Sequence, residues 1–194
     1  VSKMNIFVLD EDPVVSAQLM CDKHVVKMIL ESAQMLSTAQ RVLDGVKEKR
    51  PSVSGKRIVD YWSLEDVAPA TEKIIYKAVH VKHPCTLWTM ESSHNYKWHW
   101  KHWKALCQEY TYRYGKTHAT EDKLSFQLWI VPRNIERFKG LTEPPQAMPD
   151  YCKRDDVVEA YQNYYKNEKA RFAKWTKREV PHFMLDNSKE IVYN

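Results

Sequence analysis

The amino-acid sequence predicts a mainly α protein: a single compact multi-helix domain over residues 1–194, with little or no β structure. Three observations predict it. The 194-residue chain has only 4 glycines, which disfavours a turn-rich β architecture. Two long stretches, Met20–Leu36 and His94–Tyr114, contain no Gly or Pro, so nothing in them forbids a helix. Both carry apolar residues at helical spacing. A chain of this length buries roughly 70% of its unfolded surface, enough for a core without help from a metal or disulfide.

Taken in order, Asn5 to Leu9 reads as a short apolar segment, strand-like or extended. Asp12 before Pro13 signals a helix start. Helices are expected over 13–22 and 23–42, continuous or separate. In the second, Val25, Ile29, Ala33 and Leu36 share one side, with Val26 and Leu30 beside them, a stripe suited to a core. His24, Lys27, Glu31 and Gln34 share the opposite side as one ladder. Residues 47–56 are basic, include Pro51 and Gly55, and read as a mobile surface loop. Residues 57–67 fit either a short strand or a helix. A helix is expected over 71–81 with Ile74, Ile75 and Ala78 inward, before His83-Pro84 interrupts it.

In the stretch His94–Tyr114, the residues Tyr96, Trp100, Trp103, Cys107, Tyr110 and Tyr114 form a stripe expected to face the core. Lys97, Lys101 and Lys104 make a basic edge, and His99, His102, Leu106, Glu109 and Arg113 a third edge. Gly115 suits the C-terminal cap. A further helix is expected over 125–138, broken near Pro132, then an extended connection over 141–149. The last long helix is expected over 155–177, basic and aromatic.

The net charge is +5, compatible with a polyanionic partner without demanding one. The content of 7 Trp and 11 Tyr is high for the length, and aromatic side chains among basic ones suit nucleic acid. Cys21, Cys85, Cys107 and Cys152 are widely spaced with no C-x-x-C pair, which reads as buried thiols in a reducing compartment. No apolar run reaches the ~18 residues of a membrane span, and no signal-peptide pattern opens the chain. A cytoplasmic protein is expected, with no cofactor.

Chemistry concentrates on the first ladder. An imidazole, an amine and a carboxylate within two helical turns perform proton transfer if a cleft covers them, which makes His24, Lys27 and Glu31 the catalytic candidates. The alternative is a solvated face with a Lys27–Glu31 pair contributing ~0.3 kcal/mol. Candidate nucleic-acid contacts are Lys23, His83, Lys97, Lys101, Arg113, Lys116 and His118. His99 and His102 lie one turn apart, but no third ligand has an obvious closing spacing, so no metal site is assigned. Asp12 is read as a cap rather than part of an acidic ion site with Asp10.

Two resemblances follow from particular segments. Met4-Asn-Ile-Phe-Val-Leu, Cys21-Asp-Lys-His-Val-Val-Lys-Met, His83-Pro-Cys-Thr-Leu-Trp, Arg113-Tyr-Gly-Lys-Thr-His and Ala147-Met-Pro-Asp resemble small tailed-phage proteins of unassigned function. That likeness implies a viral protein acting in a bacterial host cytoplasm. Leu19-Met20-Cys21-Asp22-Lys23-His24-Val25 and His80-Val81-Lys82-His83-Pro84 are similar to segments of the pyrimidine-dimer DNA glycosylases of the endonuclease V type. The resemblance implies a compact α-helical glycosylase and abasic-site lyase. Its nucleophile is the amino-terminal amine, a first-helix glutamate assists it, and arginines hold phosphates. Here the amine would belong to Val1 or Met4. Val25 stands where the family has its glutamate, and His24 and Met28 where it has arginines. Glu31 is then the carboxylate able to substitute, His24 a phosphate contact or proton carrier, and Lys27 an alternative Schiff-base amine.

The function expected is a glycosylase/lyase acting on damaged or modified bases in DNA. The alternatives are a non-catalytic phage protein that binds nucleic acid or a host factor, and a metal-dependent nuclease built from Asp10, Asp12, His24 and Glu31.

Overall fold

A computed structural model of the chain describes residues 4–185. Among the described residues eight α-helices surround one hydrophobic core, and β structure is confined to one hairpin. Asp12 caps α1 (Pro13–Leu19), its side chain accepting from the Val14 and Val15 amides. The chain breaks at Met20 and Cys21, and α2 (Asp22–Asp44) follows, so the first two helices are separate.

The buried side of α2 differs from the expected one. Val25, Ile29, Ala33 and Leu36 are buried, but Val26 and Leu30 are exposed, and His24, Met28, Ser32 and Met35 are buried in their place. The buried arc is rotated because the helix is covered from two directions. The helix α5 (Ser93–Tyr114) packs on one flank, with Trp103 donating to the Ile29 carbonyl and His99 bonding Ser32. The opening segment covers the other flank, where Phe7 stacks on His24 at 4.1 Å. Glu31 falls at the edge of this arc, half-buried.

Residues 47–56 are not simply a loop. Strand β1 (Val46–Pro51) pairs antiparallel with β2 (Ile58–Ser63), matching Val46 with Ser63 and Pro51 with Ile58. Lys47 and Lys49 pair with Asp60 across the strands, and Arg50 lies 3.9 Å over the Tyr61 ring. These cross-strand contacts use the same charges that suggested a loop. The helix expected over 71–81 shrinks to α3 (Pro69–Glu72). The carbonyls of Glu72, Ile75 and Tyr76 instead accept from the buried Arg41 guanidinium, which also bonds the Trp62 carbonyl and the Glu72 carboxylate. One α2 side chain thus ties the hairpin and the following turn to the core.

Helix α4 (Pro84–Glu91) leads through the Ser92 cap into α5. Every residue of its third edge, His99, His102, Leu106, Glu109 and Arg113, is buried, whereas Tyr114 of the aromatic stripe is exposed. The buried side of α5 is broad because α1, α2, α4 and α6 (Ala119–Trp129) all pack on it. That last helix starts earlier and ends sooner than the 125–138 expected. Helix α7 (Val157–Tyr164) runs into a π-helical turn at Tyr165–Lys169, and the helix expected to 177 stops there. The chain then folds back on the α1–α2 break, where Lys174 accepts from the Asp22 amide and Thr176 bonds the Asp22 carboxylate. A short α8 (His182–Leu185) ends the described residues. All four cysteines are free and buried, and no described helix is long and apolar enough to cross a membrane.

The core holds three histidines that burial keeps neutral. His24 and His99 are pushed down to about 3 and His102 to about 4, burial being the main cause in each. His99 is bonded on both nitrogens, to Thr89 and Ser32, and His102 bonds the Pro13 carbonyl. Unfolding frees these rings to take protons near pH 6.5, so the unfolded state binds more protons below that value. Stability is therefore fully present above about pH 6.5 and falls as pH drops, by up to about 2 kcal/mol per histidine at pH 5. Urea unfolding at pH 7 and pH 5 checks this, and equal stability at the two pH values contradicts it.

Candidate active site

The opening segment, residues 4–9, is fully buried yet pairs with no strand. Its backbone groups are satisfied by side chains, as buried polar groups require. Asn5 Oδ1 accepts from the Ile6 and Phe7 amides, and Asn5 Nδ2 donates to the Ala147 carbonyl at 2.7 Å. Ser16 Oγ accepts from Leu9 N–H and donates to the Phe7 carbonyl, and Gln162 donates to the Leu9 carbonyl. Phe7 sits at φ 55°, in the left-handed region where a side chain is strained. Such strain persists where surroundings over-determine it, often at functional sites. Here the surroundings are His24 stacked on one face, Tyr164 6.0 Å away, and Tyr161 and Tyr165 edge-on.

This anchoring brings the start of the described chain to Glu31. One Glu31 oxygen lies 3.7 Å from Lys27 Nζ. The other, Oε2, is buried and makes no full hydrogen bond, while the Asn5 backbone N–H stands close enough to act on the carboxylate. Burial raises the Glu31 carboxyl above its ordinary range, and Lys27, the Asn5 amide and His80 pull it back only in part. A half-buried carboxyl with a raised pKa and an unused oxygen suits proton transfer. His80 is held in the left-handed region at φ 48°, and the His83 side chain accepts from the Cys85 amide as the N-cap of α4.

The ladder does not stand together as expected. Lys27 and Glu31 do, but His24 leaves them for the interior. Its Nδ1 bonds the Tyr165 hydroxyl at 2.6 Å, and burial with Lys169, Lys27 and Lys23 nearby keeps it neutral. It therefore does not exchange protons near neutral pH, and it supports Phe7 instead. The metal-nuclease constellation is not assembled either. Asp12 caps α1, His24 bonds Tyr165, and no cluster of three His, Cys, Asp or Glu able to hold a metal exists among the described residues.

The nucleic-acid candidates separate by environment. Lys23 is exposed, 4.8 Å over the Phe172 ring. Lys97 and Lys101 are exposed on α5, beside a cavity of about 340 Å³ with Trp100 and Trp129 that shares no lining residue with the Glu31 site. Lys116 is exposed beyond Gly115, which takes φ 69° as the α5 cap. His83 and His118 are helix caps whose burial lowers their pKa, so they are weak cations for phosphate. Arg113 is no phosphate contact: it is 2% exposed and bonds Glu109, Asp22 and the carbonyls of Gln18 and Met20. Sequence reading named it a candidate nucleic-acid contact, whereas the fold buries it as a strut between α5 and the α1–α2 break. A cavity of about 400 Å³ between Trp88, Trp98 and Val157 is rimmed by Glu11, Glu143 and Asp156, a charge that repels phosphate.

A family model described as pyrimidine dimer DNA glycosylase matches residues 4–122. The chain belongs to this family. No curated protein and no solved structure matches it. In this glycosylase-family chain the match covers Asn5, Lys27, Glu31, His80 and His83. It leaves out the π-turn and the segment after it, where Lys169 lies 5.7 Å from the Phe7 ring centroid. Sequence reading assigned no role to Asn5, Phe7 or His80, and it placed Lys169 only among the basic residues of a last helix suited to a phosphate backbone. The signal it had was the Asn5 start of the apolar segment, and nothing in spacing placed that start beside Glu31.

Arg113→Met is expected to destabilise the fold by about 3–5 kcal/mol, because Glu109 and Asp22 lose a buried partner. The salt dependence of DNA binding by the folded fraction should stay unchanged. Denaturant unfolding and a salt titration measure the two. A reduced salt slope would return Arg113 to the list of phosphate contacts.

Proposed function

We propose that the chain is a DNA glycosylase with abasic-site lyase activity, in which an amine at the start of the opening segment is the nucleophile and Glu31 moves its protons. The observation that carries this reading is the Glu31 carboxyl, half-buried, with an unused oxygen, beside the Asn5 backbone nitrogen. A chain beginning at Met4 carries its α-amine one residue from that nitrogen. Val1, the other candidate, lies outside the described residues.

In the reaction the damaged nucleotide is unstacked from the duplex, which gives access to C1′. The neutral amine attacks C1′, the bond to the base breaks, and the base leaves with the electron pair and takes up a proton. Ring opening at O4′ gives an imine between the amine nitrogen and C1′. Loss of a C2′ proton then expels the 3′ phosphate. Glu31, poised by burial to hold or release a proton, serves the amine first and the sugar oxygen next. Lys27, 3.7 Å from Glu31, is the second amine in reach, but it is more than half exposed and paired. DNA as substrate, the cytoplasm as location and the absence of a required cofactor all belong to this reading.

Borohydride trapping on a duplex with an abasic site or a pyrimidine dimer tests it. Protein starting at Met4 with a free amine should give a covalent adduct, and the same protein with that amine acetylated should not. Glu31→Gln should slow strand cleavage by about 10²–10⁴-fold, the usual contribution of a general acid or base. An adduct that survives acetylation and disappears in Lys27→Met assigns the chemistry to Lys27. Binding with neither adduct nor cleavage would leave the non-catalytic nucleic-acid binder.

A further inference from the structure

The π-turn places a lysine over aromatic rings, among them Phe7 of the opening segment. Lys169 Nζ stands 4.7 Å from the Tyr164 ring centroid, 5.7 Å from Phe7 and 5.9 Å from Phe172. The Phe172 ring also carries Lys23 at 4.8 Å and Arg171 at 5.5 Å. Its edge meets His24, the ring that supports Phe7. Lys27 lies near enough to act on both His24 and Lys169. Three cations from two separate parts of the chain, Lys23, Lys169 and Arg171, therefore meet around the Phe172 ring, with Lys27 near enough to act on Lys169.

Their counter-charge is sparse. Glu31 pairs with Lys27, and Glu168 adjoins Lys169 in sequence and acts on it. Among the described residues Lys23, Lys169 and Arg171 make no ion pair with a carboxylate. Lys169 is half-buried, and both its burial and the neighbouring Lys27 and Arg171 disfavour its charge. Repelling cations held at fixed positions by π faces, rather than dispersed into solvent, are matched to an external anion. The ammonium and guanidinium groups are those that bind phosphate. The acidic rim of the cavity near Trp88 excludes that face for the same ligand.

We propose that Lys169, with Lys23 and Lys27 of α2 and Arg171 beyond the π-turn, is a phosphodiester-binding site. It grips the strand next to the deoxyribose that Glu31 addresses. That this strand is DNA, and that its sugar faces Glu31, rests on the function proposed above. The anion site itself rests on the cation cluster. The segment after α7, outside the family match, thereby does the work that sequence reading gave to Arg113.

The test reads binding without chemistry. A duplex carrying a tetrahydrofuran abasic analogue, which has no base to release, is titrated by fluorescence anisotropy at several salt concentrations against the full chain. Lys169→Met should weaken binding about tenfold and lower the slope of log K against log salt by about 0.9, the loss of one phosphate contact. Lys169→Arg should restore the slope, and Lys56→Met, on an exposed position in the turn of the β1–β2 hairpin, which supplies none of the cluster, should leave it unchanged. Unchanged affinity and slope in Lys169→Met overturn the proposal. If circular dichroism shows that variant unfolded, Lys23→Met on its exposed position gives the same readout, and an unchanged slope there overturns it too. Wild-type protein that binds through Lys169 yet neither traps nor cleaves keeps the phosphate site and removes the glycosylase reading.

Discussion

The fold depends on burying an extended backbone segment that belongs to no sheet. Residues 4–9 cross the interior with peptide groups that helices or strands normally satisfy, and leaving them unpaired in an apolar setting is costly. The chain meets this demand with Asn5, Ser16 and Gln162, drawn from three separate regions. Phe7 takes a strained conformation to stack on His24. The rotated face of α2, the neutral histidine and the tyrosines of α7 and the π-turn all follow from covering that segment. So does the site, because the same segment delivers the Asn5 nitrogen to Glu31.

Charge is divided between two roles by depth. Arg41 and Arg113 are fully buried and bonded to carbonyls and carboxylates, and they fix where the hairpin and the α1–α2 break attach. A planar guanidinium with five donors suits that task, since it satisfies several carbonyls at once. The lysines around Phe172 and Phe7 stay near the surface and lack such partners. Buried histidines stay neutral and serve as hydrogen-bonding core residues. Residue type alone does not separate strut from ligand contact; burial does.

Membership of the pyrimidine dimer DNA glycosylase family brings the carboxylate into focus. A family-aligned reading puts Val25 at the position of the glutamate, and Val25 is buried in the core. Glu31, two turns further on, reaches the opening segment instead. A carboxylate two turns along the same helix still reaches an opening segment laid alongside that helix, as Glu31 does here.

Much of the fold was legible in the sequence. The Asp12-Pro13 start, the Gly115 stop and the long helices expected over 23–42 and 94–114 rest on local backbone preferences, which act over a few residues and need no distant partner. The Lys27–Glu31 pairing was also legible, because helical spacing alone creates it. Residues 71–81 were misread because Arg41, thirty residues away, takes their carbonyls, and 165–177 because the chain there turns back to Asp22. The sequence by itself determined the helical class, the Asp12-Pro13 start, the Gly115 stop and one ion pair. Only the tertiary structure decided which side of α2 is buried, that Arg113 is a strut, that Asn5 lies beside Glu31, and that Lys169 lies over Phe7. Those outcomes depend on contacts between residues far apart in the chain, and periodicity carries no information about them.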